Sequence, residues 1–372
     1  MIVVHIVEPF AAGIAVFVRS LTEVMPDDVH IVIHGERKKV MTADEVKKNF
    51  PKQNVRFIRW RSAQRAIDPV KDIFALTELY SILRRLKRKN LVDAVHLHSS
   101  KSGLLGRAAC RMAGITNVFY TPNGAPFLSS KSRIGRFIYK RLEKFGNRLG
   151  GKVVCCSASE LEEYLNLGID AGYINNGVTT NNKVTENRQN RDRFRIVTSG
   201  RIEEQKNPWL FNAIALYFEG MDQIEFAWIG DGVEKKCFTS KNITVTGWLD
   251  DVDVHKYMAD SDIYLSTSRY EGLSFAVLEA LALKKPVLLH NCPGNTDLVK
   301  KGINGGLFNT EADAIVRILQ YYTNPEMLRV MGDYSGEICK AEFDVITNFK
   351  KYRDLYAGKI METGRLTKWS FG

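Results

Sequence analysis

Short apolar runs alternate along this chain with longer stretches whose apolar positions recur every third or fourth residue. The runs at 2–7, 30–34, 55–58, 94–98, 118–120 and 153–156 are rich in β-branched residues and predict buried strands. Between them, 17–25, 73–89, 103–113, 134–149 and 160–167 carry helical spacing. Such alternation predicts a mostly parallel sheet with helices on both faces. The polar stretch 181–193, Asn-Asn-Lys-Val-Thr-Glu-Asn-Arg-Gln-Asn-Arg-Asp-Arg, has almost nothing to bury and predicts a linker. Beyond it the pattern restarts, with strands at 195–198, 225–229, 244–246, 263–267 and 286–290. Helices are predicted at 209–217, 255–258, 274–283 and 312–322, and a last helical run at 343–356. The expectation is two α/β domains in tandem, 1–180 and 181–342.

Composition supports that division. At 372 residues the chain is too long for one ordinary core, and 45% hydrophobic with 26% charged residues is globular. No run approaches the roughly 18 apolar residues that predict a membrane span. The start, Met1-Ile-Val-Val-His-Ile-Val-Glu8, has no basic leader or small-residue cleavage site and reads as a first strand, not a signal peptide. Six cysteines include no C-x-x-C pair; Cys155-Cys156 read as core thiols, and the compartment as reducing.

Charge changes the picture by region. Residues 1–180 carry 28 Lys and Arg against 16 Asp and Glu, whereas 181–372 carry 25 against 26. The surplus lies in 51–150, with 21 basic residues facing 5 acidic ones. A basic half implies an anionic partner: membrane surface, lipid pyrophosphate or nucleic acid. In 132–149 Ile134, Phe137, Ile138, Leu142, Phe145 and Leu149 fall at helical spacing among Arg133, Arg136, Lys140, Arg141, Lys144 and Arg148. Such a basic amphipathic helix suits an anionic leaflet, with packing on its own domain as the alternative. The basic segments lack interleaved aromatic platforms, so no nucleic acid is expected.

The densest chemistry is Arg269-Tyr-Glu271-Gly272-Leu273-Ser274-Phe-Ala-Val-Leu-Glu279. It follows the strand at 263–267. Ser274 is placed to cap a helix through about residue 283, with Phe275, Leu278, Leu281 and Ala282 on its apolar face. Glu271 and the backbone N–H groups of Gly272, Leu273 and Ser274 then sit at the C-terminal end of a strand, where open α/β sheets bind ligands. Carboxylates there accept hydrogen bonds from sugar or ribose hydroxyls, and a helix N-terminus favours phosphate.

This segment resembles the donor-binding signature of glycosyltransferase family 4, retaining nucleotide-sugar transferases of GT-B fold. Further matches follow in the same order over roughly residues 1–356. Ser199-Gly200-Arg201-Ile-Glu-Glu-Gln-Lys206-Asn207-Pro208 resembles the element whose Arg and Lys hold the donor diphosphate, although Asn207 stands where Gly is common. Ala12-Gly13 resembles the family's Gly-Gly loop near the β-phosphate and acceptor, with only Gly13 surviving. Asn176-Gly177-Val178, Gly230-Asp231-Gly232 and Pro293-Gly294-Asn295-Thr-Asp297 resemble the turn near the interdomain boundary, a turn close to the nucleotide, and a loop on the donor's other side. In Tyr120-Thr121-Pro122-Asn123-Gly124, Asn123 replaces the family's usual His, which contacts the donor sugar and assists catalysis.

The resemblance implies two Rossmann-like domains facing across a ligand cleft, with 343–372 packing back on the first. It implies catalytic roles for Arg201, Lys206, Glu271 and Asn123, and donor contacts from Gly13, Gly200, Gly230, Gly272, Leu273, Ser274 and Glu279. An amide binds hydroxyls but does not titrate near neutral pH, so Asn123 means either a different sugar hydroxyl pattern or reduced activity. His98 and Lys101, at a strand end and helix start, are acceptor candidates. Asp250-Asp251-Val-Asp253 imitates a metal-binding Asp-x-Asp but opens a helix, so capping explains it and no metal is expected. The expected activity is retaining transfer from a nucleotide diphosphate sugar to a lipid-linked saccharide of a bacterial surface polysaccharide, peripherally on the cytoplasmic membrane face. The alternatives are a nucleotide-sugar epimerase and a non-catalytic sugar-nucleotide-binding subunit.

Overall fold

A computed structural model describes residues 1–8, 10–36, 42–64, 68–130, 132–180, 193–359 and 368–369. They form two compact units, one of Met1–Asn176 with Val345–Gly372 and the other of Gly177–Asp344. The division falls four residues before the expected boundary at 180, and the polar linker lies, except for residue 193, outside the described residues.

The first unit runs β1 (Ile2–Val7), α1 (Ala12–Val24), β2 (Val29–His34), α2 (Ala43–Lys48), β3 (Val55–Arg59), α3 (Pro69–Arg88), β4 (Ala94–His98), α4 (Ser100–Ala113), β5 (Val118–Thr121), α5 (Arg133–Arg148), β6 (Lys152–Cys155), α6 (Ala158–Asn166) and β7 (Ala171–Tyr173). The second runs β8 (Phe194–Ser199), α7 (Pro208–Tyr217), β9 (Ile224–Ile229), β10 (Ile243–Val245), α8 (Asp251–Ala259), β11 (Ile263–Ser266), α9 (Phe275–Ala282), β12 (Val287–His290), β13 (Gly305–Phe308), α10 (Glu311–Tyr322) and α11 (Pro325–Glu342). The chain then returns to the first unit with α12 (Val345–Tyr356) and the two-residue β14 (Lys368–Trp369).

Both sheets are parallel. Their strand orders are β14-β7-β6-β5-β4-β1-β2-β3 and β10-β9-β8-β11-β12-β13. Side chains alternate across each strand, so in the first unit Val4, Ile6, Ile31, Ile33, Val95 and Leu97 share one core with Leu79, Leu83 and Leu86 of α3. Truncating Leu79 or Leu83 to Ala would cost about 2–5 kcal/mol. The opposite register of the same strands carries His5, His30, His96 and His98, next to Phe17 of α1 and Tyr352 of α12. In the second unit Ile196, Trp228, Leu265 and Leu288 pack with Phe211, Ile214 and Ile318.

Several local expectations change. Residues 255–258 belong to a longer helix because Asp250 caps it, its carboxylate accepting from the Asp253 N–H at 2.9 Å. Ser274 occupies the N-cap position of α9, but its side chain makes no cap hydrogen bond. The buried face of α9 is Val277, Leu278, Ala280 and Leu281, while Phe275 and Ala282 are only half-buried. Unforeseen are α2, β7, β13 and the 18-residue α11. In α11 Gly332 lies so close to the next layer that a Cβ would stand 2.3 Å from the Lys284 carbonyl oxygen. Gly332 and Ser335 interrupt the buried face that Leu328, Met331 and Cys339 otherwise carry, which weakens the helical spacing in the sequence. All six cysteines are free thiols.

Candidate functional site

In each sheet the strand order reverses at one place, between β1 and β4 in the first and between β8 and β11 in the second. The crevice outside the carboxyl ends of such neighbours is where open α/β sheets bind ligands. The loops after β8 and β11 carry Gly200, Arg201, Lys206, Glu271, Gly272, Leu273 and Ser274. These predicted residues of the second unit therefore lie in the two loops that flank its reversal point.

Glycine makes this arrangement possible. Gly200 and Gly230 both have left-handed φ, +131° and +137°. A Cβ on Gly230 would stand 2.2 Å from the Gly200 carbonyl oxygen, which already accepts from Trp228 Nε1 at 2.8 Å. Gly232 is pressed the same way on Ile202. Asn207 is left-handed at φ +51°, which explains why Gly is common there and why Asn, the side chain that best tolerates this region, replaces it. Its Oδ1 accepts from Arg269 Nη2 at 3.3 Å.

The centre of the site is an ion pair. Lys206 Nζ donates to Glu271 Oε1 at 2.8 Å, with the two side chains 18% and 8% exposed. Burial disfavours the charged amine, but Glu271 and the Tyr264 phenol outweigh it and hold the Lys206 pKa above its ordinary value. Gln205 Nε2 donates to the other carboxylate oxygen at 3.3 Å and to the Tyr270 carbonyl at 3.2 Å. Gln205 was not among the predicted residues; only its place beside Lys206 signals it. Thr267 Oγ1 donates to the Lys206 and Asn207 carbonyls, tying the two loops together. From the third side, Glu271 N–H donates to the Pro293 carbonyl, and a Cβ on Gly294 would stand 2.8 Å from Glu271 Cβ. Arg201 pairs with Glu203 at 2.8 Å. Glu279 is half-buried on α9, one and a half turns beyond Ser274.

The first unit holds the remaining candidates. Ala12 and Gly13 open α1, both exposed, and the left-handed φ of +51° belongs to Ala12. The glycine missing from the resembled pair is thus the one the backbone conformation asks for. The Ser99 hydroxyl donates to the Glu8 carbonyl, joining the loops after β1 and β4 at the reversal. Lys101, in the first turn of α4, pairs with Asp72 at 2.6 Å and is 14% exposed. Asn123, left-handed at φ +57°, donates from Nδ2 to the Thr121 carbonyl and accepts from Cys156 Sγ at 3.4 Å. Its loop is clamped by buried Glu160, which accepts from the N–H groups of Gly124 and Cys156, each at 2.7 Å.

His98 does not reach this surface. It is fully buried, so the expectation that it meets an acceptor phosphate is corrected. His30 Nε2 faces the Met25 carbonyl at 3.2 Å and must carry the proton, since a carbonyl only accepts. Burial, reinforced in His5 and His98 by neighbouring rings, depresses these histidines and keeps them neutral. His30 Nδ1 therefore accepts from His5 Nε2 at 3.0 Å, and His5 Nδ1 from His98 Nε2 at 3.1 Å. His98 Nδ1 is left as a bare acceptor. His96 spends its nitrogens on Tyr356 Oη at 2.6 Å and Thr121 Oγ1 at 2.8 Å. Nitrogens of His5, His96 and His98 lie within 4.8 Å of one another. Nearly all are committed to hydrogen bonds, and the trio offers no carboxylate to offset a dication. This is a hydrogen-bonded core.

With this geometry in hand, known proteins give a consistent picture. The family described as Glycosyltransferase Family 4 matches residues 11–182, and Glycosyl transferases group 1 matches 193–324. The UDP-Gal:alpha-D-GlcNAc-diphosphoundecaprenol alpha-1,3-galactosyltransferase of Escherichia coli is 28% identical over 80% of this chain and 82% of its own. A 41.2 kDa protein of the cps region of Klebsiella pneumoniae is 25% identical over 87% of this chain and 90% of its own. HepE of Anabaena, solved with UDP and glucose, shares the fold at a TM-score of 0.77 and 16% identity, covering 96% of this chain and 99% of its own. The apo lipopolysaccharide outer core galactosyltransferase WaaB gives 0.70 at 18% identity, covering 97% and 100%. Two parallel sheets, a Glycosyltransferase Family 4 match to the first half and a Glycosyl transferases group 1 match to the second identify this chain as a glycosyltransferase of GT-B fold.

Proposed function

We propose that this enzyme transfers a hexose-type sugar, with retention, from a nucleotide diphosphate sugar to a lipid-linked saccharide of a bacterial surface polysaccharide. The observation that carries the reading is the Lys206–Glu271 pair at the reversal point of the second sheet. Arg201 and Lys206 stabilise the diphosphate as it leaves, Glu271 takes the sugar hydroxyls, and Glu279 takes the nucleotide ribose. The bond from the anomeric carbon to the β-phosphate oxygen breaks, and its electron pair leaves with the phosphate. The acceptor oxygen bonds to that carbon on the same face and passes its proton to the departing phosphate oxygen. Preorganised cations do this work without a metal, and we assign none.

The named relatives favour this acceptor class, since the Escherichia coli one acts on a diphosphoundecaprenol-linked sugar. Among the described residues no helix is long and apolar enough to cross a membrane. The enzyme then meets a membrane-held acceptor peripherally, at the cytoplasmic face. The test is nucleoside diphosphate release over a donor panel, with and without a cell-envelope lipid extract, followed by the anomeric configuration of the product. Acceptor-dependent release with a retained anomer is expected. An inverted anomer, or no release with any donor, contradicts the reading.

A further inference from the structure

Helix α5 faces the solvent with its apolar side. Of Arg133–Arg148 only Glu143 and Gly146 are buried. Glu143 accepts from the Tyr120 hydroxyl at 3.1 Å and from Ser100 Oγ at 3.5 Å. Arg107 of α4 lies over the Tyr120 ring at 4.3 Å, and a Cβ on Gly146 would stand 2.9 Å from Arg107 Nη1. This polar seat fixes the rotation of the helix. At about 100° per residue, Ile134, Ile138 and Phe145 then point away from Glu143, with Phe137 beside them. Their exposures are 74%, 48%, 54% and 58%. Arg133, Arg136, Lys140, Lys144 and Arg148 are exposed alongside, and the Arg141 guanidinium lies over Phe137 at 4.9 Å.

A second apolar patch belongs with it. α4 packs against both α5 and α3, and the start of α3 exposes Val70, Ile73 and Phe74 at helical spacing. Because α3 follows β3 and α5 follows β5 in one parallel sheet, both helices begin at the carboxyl end of that sheet. Exposed apolar groups gathered this way mark an interface, and the cations choose an anionic one. The Arg84–Lys89 run lies at the far end of α3, where Lys87 is spent on the Ala113 and Gly114 carbonyls that end α4.

We propose that this face is the membrane-docking surface. α5 lies at the headgroup–acyl boundary of an anionic bilayer with Ile134, Phe137, Ile138 and Phe145 inserted, and Val70, Ile73 and Phe74 form a second point of contact. The proposal rests on the lipid-linked acceptor reading and deepens it. Docked this way, the loops carrying Lys101 and Asn123 open at the end of the sheet nearest the bilayer.

The test uses the full chain and vesicles of phosphatidylcholine with or without phosphatidylglycerol. Sedimentation with the anionic vesicles is expected, weakened at least about tenfold by the F137S/F145S double substitution, whose exposed sites leave the thermal midpoint unchanged. Phe145→Trp should give blue-shifted emission, quenched by lipids brominated along the acyl chain. The double variant should transfer sugar normally to a short-chain, water-soluble acceptor and lose transfer to the bilayer-held one. Wild-type transfer with no vesicle binding overturns the docking surface and leaves the enzymatic reading intact, whereas failure of transfer to both acceptors counts against that reading instead. Self-association that depends on Phe137 and Phe145, without vesicle binding, would show that a second copy covers the face and would also overturn it.

Discussion

Lys206 and Glu271, 65 residues apart in sequence, form a 2.8 Å ion pair that joins the loops after two adjacent strands. The cation assigned to the leaving diphosphate is thus held in place beforehand by the acid assigned to the sugar. Orientation is set before the donor arrives, which is what electrostatic stabilisation of a leaving group requires.

Lys206→Ala should lower kcat/KM by about 10²–10³-fold, the scale for losing one preorganised charge at a developing anion. It also leaves Glu271 buried without its partner. Breaking a fully buried pair costs about 3–5 kcal/mol, and the partial exposure of Lys206 reduces this to about 1–3. Urea unfolding of Lys206→Ala, Glu271→Gln and the double variant should reveal coupling, with the double less destabilised than the sum. Strict additivity would refute the pairing.

The histidine core predicts a pH dependence. His5, His30, His96 and His98 all have folded pKa values below the unfolded imidazole value of about 6.5. Above that pH both states are neutral and stability is flat. Below it the unfolded chain takes up protons that the folded one refuses, so stability falls with pH by up to about 1.4 kcal/mol per unit for each histidine. Denaturation measured from about pH 7.5 down to about pH 5.5 should show this slope, and His96→Phe should reduce it. A stability independent of pH over that range would contradict the neutral chain.

Gly230→Ala should be severe, because the new Cβ meets the Gly200 carbonyl oxygen at 2.2 Å in a left-handed backbone. A loss of about 1–3 kcal/mol from strain is expected, with donor affinity falling as Gly200 shifts. Asn207→Gly should be mild by comparison, since it relaxes a φ of +51° while losing the Arg269 contact. Equal effects from the two, read by thermal unfolding, would count against the packing argument.

On the proposed roles of Arg201 and Lys206 as the positive charge at the leaving group, turnover should be unchanged by EDTA. Activity abolished by chelation and restored by a divalent cation would require a different account of the leaving group.

Much of this was legible because alternation of strand and helix is local. The runs at 2–7 and 94–98 become β1 and β4 with the expected bounds. What was not legible depends on contacts distant in sequence. In α11 the buried face is interrupted by Gly332, which fits against Lys284, and β13 begins at Gly305, where a Cβ would stand 1.8 Å from the Val287 carbonyl oxygen. Glu271 was readable as an acid at a strand end, but its pairing with Lys206 was not. His98 misled because a strand residue near a cleft reads as available. The correcting signal was alternation: His5, His96 and His98 occupy one face of adjacent strands, paired in register as His5 with His96 and Val7 with His98.

The central claim is that the second unit grips a pyrophosphate through Arg201 and Lys206. Calorimetric titration with nucleoside diphosphates, and with the matching monophosphates, tests it most directly. A diphosphate should bind at least about tenfold tighter than its monophosphate, and Arg201→Ala with Lys206→Ala should erase that difference. Equal affinity for the two in the unaltered enzyme, or a preference surviving removal of both cations, would contradict the account.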